Sequence, residues 1–160
     1  MSYLKRKRLG LTDYKKRLRL ISSNKPRLVV RRTLKHLTAQ IVQYNPNGDL
    51  VITSANTKEL SKYGWKRYTN NIPSSYLLGI LIGKKAHKKN IKDPILDLGL
   101  QRPAKKGVLY ALLKGAIDAG LNIPSSKEAF PEEQKIKGEH IKNFPLDDFK
   151  KTKESIEQNA

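Results

Sequence analysis

The sequence predicts an α/β fold: an antiparallel three-strand meander extended by a further strand into a mixed sheet, flanked by two long helices. A basic N-terminal arm precedes this body and an irregular or helical C-terminal tail follows it. Three observations carry the prediction. Three β-patterned runs lie between residues 27 and 56, separated by a short loop and by the turn signal Asn45-Pro46-Asn47-Gly48. An apolar run, Ile95, Leu96, Leu98 and Leu100, suits a strand buried on both faces. A helix pattern precedes that run and another follows it, which together make the layers of an α/β unit.

Taken in order, residues 2–10 are basic, lack a periodic apolar face, and read as an arm disordered without a partner. Thr12 is the expected N-cap of a short helix, Asp13 to Ile21, that docks through Tyr14, Leu18 and Ile21 while Lys15, Lys16 and Arg19 point elsewhere. Ser22, Ser23, Asn24 and Pro26 end it. The strands are expected at 27–33, 37–44 and 50–56, with a short helix over Thr57 to Tyr63. Pro73 suits the first position of a long helix, Ser74 to about Lys89, with Leu77, Ile80 and Leu81 on its apolar face. Gly79 and Gly83 should let that helix pack close to the sheet.

After the 95–100 strand and a loop to Gly107, Leu109, Leu112, Leu113, Ala116 and Ile117 form one wide apolar stripe. Gly120 stands where a left-handed C-cap belongs, and Pro124 forbids continuation. Glu132 and Glu133 open a helical turn that Gly138 interrupts. Leu146, Phe149 and Ile156 have helix-compatible spacing, so the end is a docked helix or a frayed tail. The expected organisation is residues 1–26 as arm and short helix, 27–124 as the α/β body and 125–160 as a C-terminal extension.

Charge narrows the function. The chain has 33 Lys and Arg against 14 Asp and Glu, net +19 over 160 residues. Residues 1–36 carry +12 and residues 61–92 carry +8, so two blocks own nearly all of it. Self-repulsion on this scale costs stability unless a polyanion is bound, and nucleic acid is the expected polyanion. There is no Cys, which excludes disulfides and thiolate-ligated zinc. The longest apolar run, Tyr76 to Ile82, is far short of a membrane span, and the N-terminus lacks a signal-peptide core, so a cytoplasmic protein is expected.

Candidate RNA contacts follow from the basic blocks. Lys5, Arg6, Lys7 and Arg8 in the arm, and Lys15, Lys16, Arg17 and Arg19 in the short helix, would neutralise phosphates, with Tyr14 beside them. Arg31 and Arg32 would be presented by the sheet, next to Lys35 and His36 in the hairpin loop. Arg predominates over residues 17–32, and its planar fork suits phosphate and base contacts. In the loop GWKRYTNN, bases would stack on Tyr63, Trp65 or Tyr68, with Lys66 and Arg67 on phosphates; the plainer reading is that Trp65 lids the core edge. Lys84, Lys85, Lys88 and Lys89 at a helix end serve the macrodipole as readily as RNA.

The enzymatic alternative is a metal-dependent RNA-processing nuclease on the same scaffold. It would need Asp93, Asp97 and Asp118 to converge on metal ions. His36, His87 and His140 lack ligand spacing, and the sequence has no P-loop, GxGxxG or GxSxG. No cofactor is expected.

Six ordered blocks then act together: TDYKKRLRL (12–20), KPRLVVRRTLKHLTAQIVQYNPNGD (25–49), ELSKYGWK (59–66), ILDLGL (95–100), LKGAIDAGLNIP (113–124) and PEEQKIKGEHI (131–141). Together they resemble the archaeal-type members of ribosomal protein family eighteen of the large subunit. The resemblance implies a mixed-sheet α/β fold, an N-terminal basic region on 5S rRNA, and a place in the central protuberance. It also implies contacts with large-subunit rRNA and neighbouring ribosomal proteins, and no enzyme activity. The arm before Thr12 is shorter than that branch leads one to expect, and the tail beyond Ile141 extends past the matched blocks. From composition and layout alone the reading stops at a basic α/β RNA-binding protein; the choice of 5S rRNA comes from the resemblance.

Overall fold

The structure is a computed structural model that describes residues 5–141 and 144–159, with the side chains of Arg6 and Lys7 outside that description. Strands β1 (Arg27–Arg32), β2 (Leu37–Gln43) and β3 (Leu50–Asn56) form the antiparallel meander. Strand β4 (Ile95–Asp97) adds parallel to β1, pairing Arg27 with Ile95 and Val29 with Asp97, and the sheet order is β3-β2-β1-β4. The mixed four-strand sheet is the one predicted. β4 is shorter than its apolar run and sits at the sheet edge with Ile95 and Leu96 half-buried, so it is not buried on both faces. Its end has a local cause: the Gly99 amide donates to Asp97 Oδ1 (2.8 Å), and Gly99 turns the chain with φ +59°. Leu100 is left exposed.

Alternation along the strands divides the sheet into two faces. Leu28 and Val30 of β1, with Leu37, Ala39 and Ile41 of β2, are fully buried and join the core. Val42 takes the opposite face by the same alternation, paired with Arg27 and Val51, and the register shift between Ile41 and Val42 lies in the pairing with β3. The core is completed by α3 (Ile72–His87), buried along most of its length. It packs on β2 and β3 and also against α4 (Val108–Asp118), α5 (Glu133–Lys137) and α6 (Leu146–Asn159). Asn71 caps α3 in a reciprocal box with Ser74, and Asn56 does the same with Glu59 for the 3-10 helix Thr57–Tyr63.

Gly79 and Gly83 face α4 rather than the sheet. A Cβ at Gly79 would fall on the Leu112 carbonyl oxygen, and one at Gly83 would lie 2.5 Å from Ala119 Cβ. Gly115 of α4 answers from the other side, its hypothetical Cβ meeting the Tyr76 carbonyl. Small residues on both helices thus bring two backbones together, which neither helix's own pattern declares. Gly79→Ala gains up to about 1 kcal/mol of helix propensity, yet must push backbone from backbone. We expect a net loss of about 2–3 kcal/mol, read as a fall in Tm of roughly 4–12 °C; an unchanged melt would show that α3 and α4 separate at no cost.

The end of the chain is a docked helix. Phe149, Thr152 and Ile156 of α6 are buried, and Phe149 stacks on Tyr76 with ring centroids 6.1 Å apart. Asp147 and Asp148 lie in its first turn, where the dipole favours them. At the other terminus, Lys5–Arg8 form one helical turn, α1, inside the segment expected to be irregular. The following helix, α2 (Tyr14–Ile21), is capped by Asp13 and not by Thr12: Asp13 accepts from the Lys16 amide at 3.0 Å.

Candidate nucleic-acid interface

Arg31 and Arg32 are neighbours on β1, so alternation sends them to opposite faces of the sheet. Each anchors a different cluster, and together with α2 these contain most of the candidate residues.

The first cluster lies on the face opposite α3, under α2. Arg27 is almost fully buried there, 4% exposed, and pairs with Asp97 at 2.9 Å and Asp49 at 2.6 Å. Asp49 also receives Arg17 of α2 at 2.9 Å. Arg31 donates to the Val30 and Asp97 carbonyl oxygens and lies 3.8 Å from the Asp97 carboxylate. Lys16 reaches the Gly99 carbonyl at 3.0 Å. The helix is therefore fastened to the sheet by its cations. Its expected docking face is not buried: Leu18 is 69% exposed, Tyr14 and Ile21 are half-buried, and no residue of α2 is fully buried. Lys16, expected to point away, reaches across to Gly99 although it stays exposed, while Lys15 and Arg19 are exposed with no such contact among the described residues. The apolar stripe misled because ion pairs with Asp49 and a backbone acceptor supply the attachment that packing usually supplies. Leu18→Ala should accordingly change stability by no more than about 0.5 kcal/mol, checked by urea unfolding. A loss of several kcal/mol would mean that the stripe is covered.

The second cluster joins the β1–β2 hairpin loop to the loop after the 3-10 helix. Arg32 Nε donates to Asn70 Oδ1 at 2.8 Å, and Asn70 Nδ2 donates to the Thr33 and Leu34 carbonyl oxygens. Thr69 Oγ1 donates to the Lys35 carbonyl oxygen at 2.7 Å and lies 3.0 Å from His36 Nδ1. Tyr68 donates its hydroxyl to the Leu34 carbonyl oxygen at 3.2 Å. Six side-chain contacts thus lock together two loops 30 residues and more apart in sequence, and on them Lys35, Lys66 and Arg67 are exposed. Trp65 is not on this surface. It is 2% exposed, packed in the core with its ring 5.9 Å from Phe144, and its indole N–H donates to the Tyr68 carbonyl oxygen. Tyr63 is half-buried against the same core. Of the three aromatics expected to stack bases, Tyr68 alone is exposed, at 60%. Arg67 lies 3.7 Å from Asp148, which ties this loop to α6.

Of the arm, Lys5 and Arg8 are exposed on α1, and the candidates Arg6 and Lys7 have side chains outside the described residues. In the lysine group of α3, Lys85 is occupied by Glu59 (2.6 Å) and the Ser54 carbonyl oxygen, whereas Lys88 and Lys89 are exposed beyond the helix end.

The three carboxylates named for a metal site go to separate partners. Asp93 accepts from Asn122, Asp97 from Arg27, and Asp118 from Tyr76 and Lys114. Among the described residues no group of three or more His, Asp or Glu is placed to hold a metal ion. Burial, reinforced by the Asp118 charge, pushes the Tyr76 hydroxyl well above its usual range, so it stays a hydrogen-bond donor. Glu132, fully exposed, is held below the usual carboxylate range by its hydrogen bond to Lys106. Neither lies near the two clusters.

Sequence reasoning missed Asp49, Asp97 and Gln101 as parts of the basic face, since acidic and amide residues were not sought in a cationic block. The period-2 pattern Arg27, Val29, Arg31 was the available signal. Residues 2–95, more than half of the chain, match the model of the family described as Ribosomal large subunit proteins 60S L5, and 50S L18. The matched stretch runs from α1 to the start of β4 and includes α2, both loops of the second cluster and most of the first.

Proposed function

The chain belongs to the family of ribosomal large subunit proteins 60S L5 and 50S L18, and on that premise we propose that it is a structural, non-enzymatic RNA-binding protein that holds 5S rRNA. In this reading it attaches 5S rRNA to large-subunit rRNA in the central protuberance of the cytoplasmic ribosome, beside neighbouring ribosomal proteins. The observation that carries it is the division of labour among cations. Arg17, Arg27 and Lys16 are engaged in holding α2 to the sheet, where Lys15 and Arg19 stay exposed, while Lys35, Lys66 and Arg67 are exposed on loops locked by Arg32, Tyr68, Thr69 and Asn70. Cations held on rigid elements fix register on a phosphate backbone, and one exposed aromatic, Tyr68, offers a face for a base. The organisation that fits is a basic arm and short helix over residues 1–26, an α/β body over 27–124 that receives them, and a C-terminal extension over 125–160.

The direct test is competition. Labelled 5S rRNA should be retained by the protein in the presence of excess tRNA, and should dominate the RNA recovered with the protein from cells. Equal displacement by tRNA, with no enrichment of 5S rRNA, would reduce the reading to a non-specific polyanion binder.

A further inference from the structure

Between α2 and the sheet face lies an open cleft of about 540 Å³. Its floor and walls are mixed in a particular way. Leu20, Val29, Val42 and Leu98 give it apolar walls, and the mouth carries Leu11, Val51 and Leu100, three of the exposed large hydrophobic side chains. Two of the residues that line it each carry a buried polar atom with no hydrogen-bond partner among the described residues: the donor Arg27 Nε, on a side chain 4% exposed, and the acceptor Gln101 Oε1. A buried donor or acceptor left unmatched is costly, so two such atoms on residues that line one open cleft point to a ligand there.

We propose that this cleft takes one unstacked nucleotide of the bound RNA, its base inside and its phosphates outside on the cations of α2. This rests on the 5S rRNA reading and deepens it. A nucleobase is a flat body that apolar walls can grip, and its edge carries both donors and acceptors, which answers one unmatched donor, Arg27 Nε, and one unmatched acceptor, Gln101 Oε1. The surroundings choose a polyanion over an apolar peptide: α2 carries four cations within Lys15–Arg19 against the single Asp13 at its cap, and Lys15 and Arg19 are exposed. The Arg17–Asp49 pair and the Lys16 hydrogen bond to the Gly99 carbonyl oxygen hold α2 over this face, so the cleft is present before the base enters.

The test separates base contact from phosphate contact. Val29→Trp fills the cleft from a half-buried floor position, and Gln101→Leu removes the acceptor without adding bulk. With the wild-type protein bound, one base of 5S rRNA should be shielded from base-specific chemical probes. Val29→Trp should lower affinity roughly 5–150-fold, the range for leaving a buried polar group without its partner. The slope of log affinity against log salt should stay unchanged, because no phosphate contact is lost, and the one base should become reactive again while other protections remain. Gln101→Leu should weaken binding in the same way but less. A folded Val29→Trp variant that binds as wild type does, or that loses affinity with a shallower slope, or that restores no single base, overturns the proposal and leaves the 5S rRNA reading intact. If Val29→Trp does not fold, Gln101→Leu decides by the same slope and probing criteria. Failure of the wild-type protein to select 5S rRNA overturns both.

Discussion

Replacing Asp97 with Ala is expected to cost about 3–5 kcal/mol and to lower Tm by roughly 6–20 °C. The side chain is 9% exposed and accepts from Arg27 at 2.9 Å and from the Gly99 amide at 2.8 Å, with Arg31 at 3.8 Å. Without it, a buried guanidinium keeps only Asp49, which is already engaged by Arg17. The cost comes from stranding a buried charge rather than from losing an attraction of equal size. That distinction is testable, since Arg27→Met combined with Asp97→Leu removes both charges and should recover a large part of the loss. Thermal melts of the single and double variants decide it. A single variant within about 2 °C of wild type would show that Arg27 is adequately held by Asp49 alone. A double variant as unstable as the single one would locate the cost in packing at the end of β4.

The sheet was legible in the sequence because its signals are local. Asn45-Pro46-Asn47-Gly48 fixes the β2–β3 turn, and the runs expected at 27–33, 37–44 and 50–56 fall within one residue of β1, β2 and β3. The α4 stripe and its Gly120 end were legible for the same reason, Gly120 having φ +101° just past the helix. What escaped were relations between distant elements. Gly79 and Gly83 announce a close approach without saying to what, and the answer is α4. The apolar stripe of α2 gave the wrong docking face, because a helix held by Arg17 to Asp49 and Lys16 to Gly99 leaves Leu18 in water. Trp65 in a basic loop reads equally as a base platform or as a core lid, and its burial in the core, with Phe144 from far along the chain against its ring, makes it the latter.

That same separation between engaged and exposed cations governs how RNA binding should respond to salt. If the exposed basic surface neutralises roughly 6–10 phosphates, affinity for 5S rRNA should fall by about 10³–10⁵ between 50 and 200 mM salt. Two groups of variants then divide the slope. Lys15→Gln with Arg19→Gln removes two exposed cations of α2, and should make the slope shallower by up to about 2 units. Stability should be unchanged or slightly raised, because like charges are removed from a strongly basic chain. Lys35→Gln, Lys66→Gln and Arg67→Gln together should reduce the slope by up to about 3 units; Arg67 also loses its distant partner Asp148, an exposed pair worth at most about 1 kcal/mol. Arg17→Gln should behave differently from all of these. It breaks the pair with Asp49 at 2.9 Å that fastens α2, so the melt should fall first and binding should weaken through loss of the docked helix. Filter binding across a salt series, paired with melts of each variant, reads both quantities. If the Lys15 and Arg19 double variant keeps the wild-type affinity and slope, α2 contacts no phosphate and the interface moves to the hairpin and the Tyr68 loop. If the hairpin triple variant is the silent one, those locked loops serve the fold, and the arm and α2 carry the RNA.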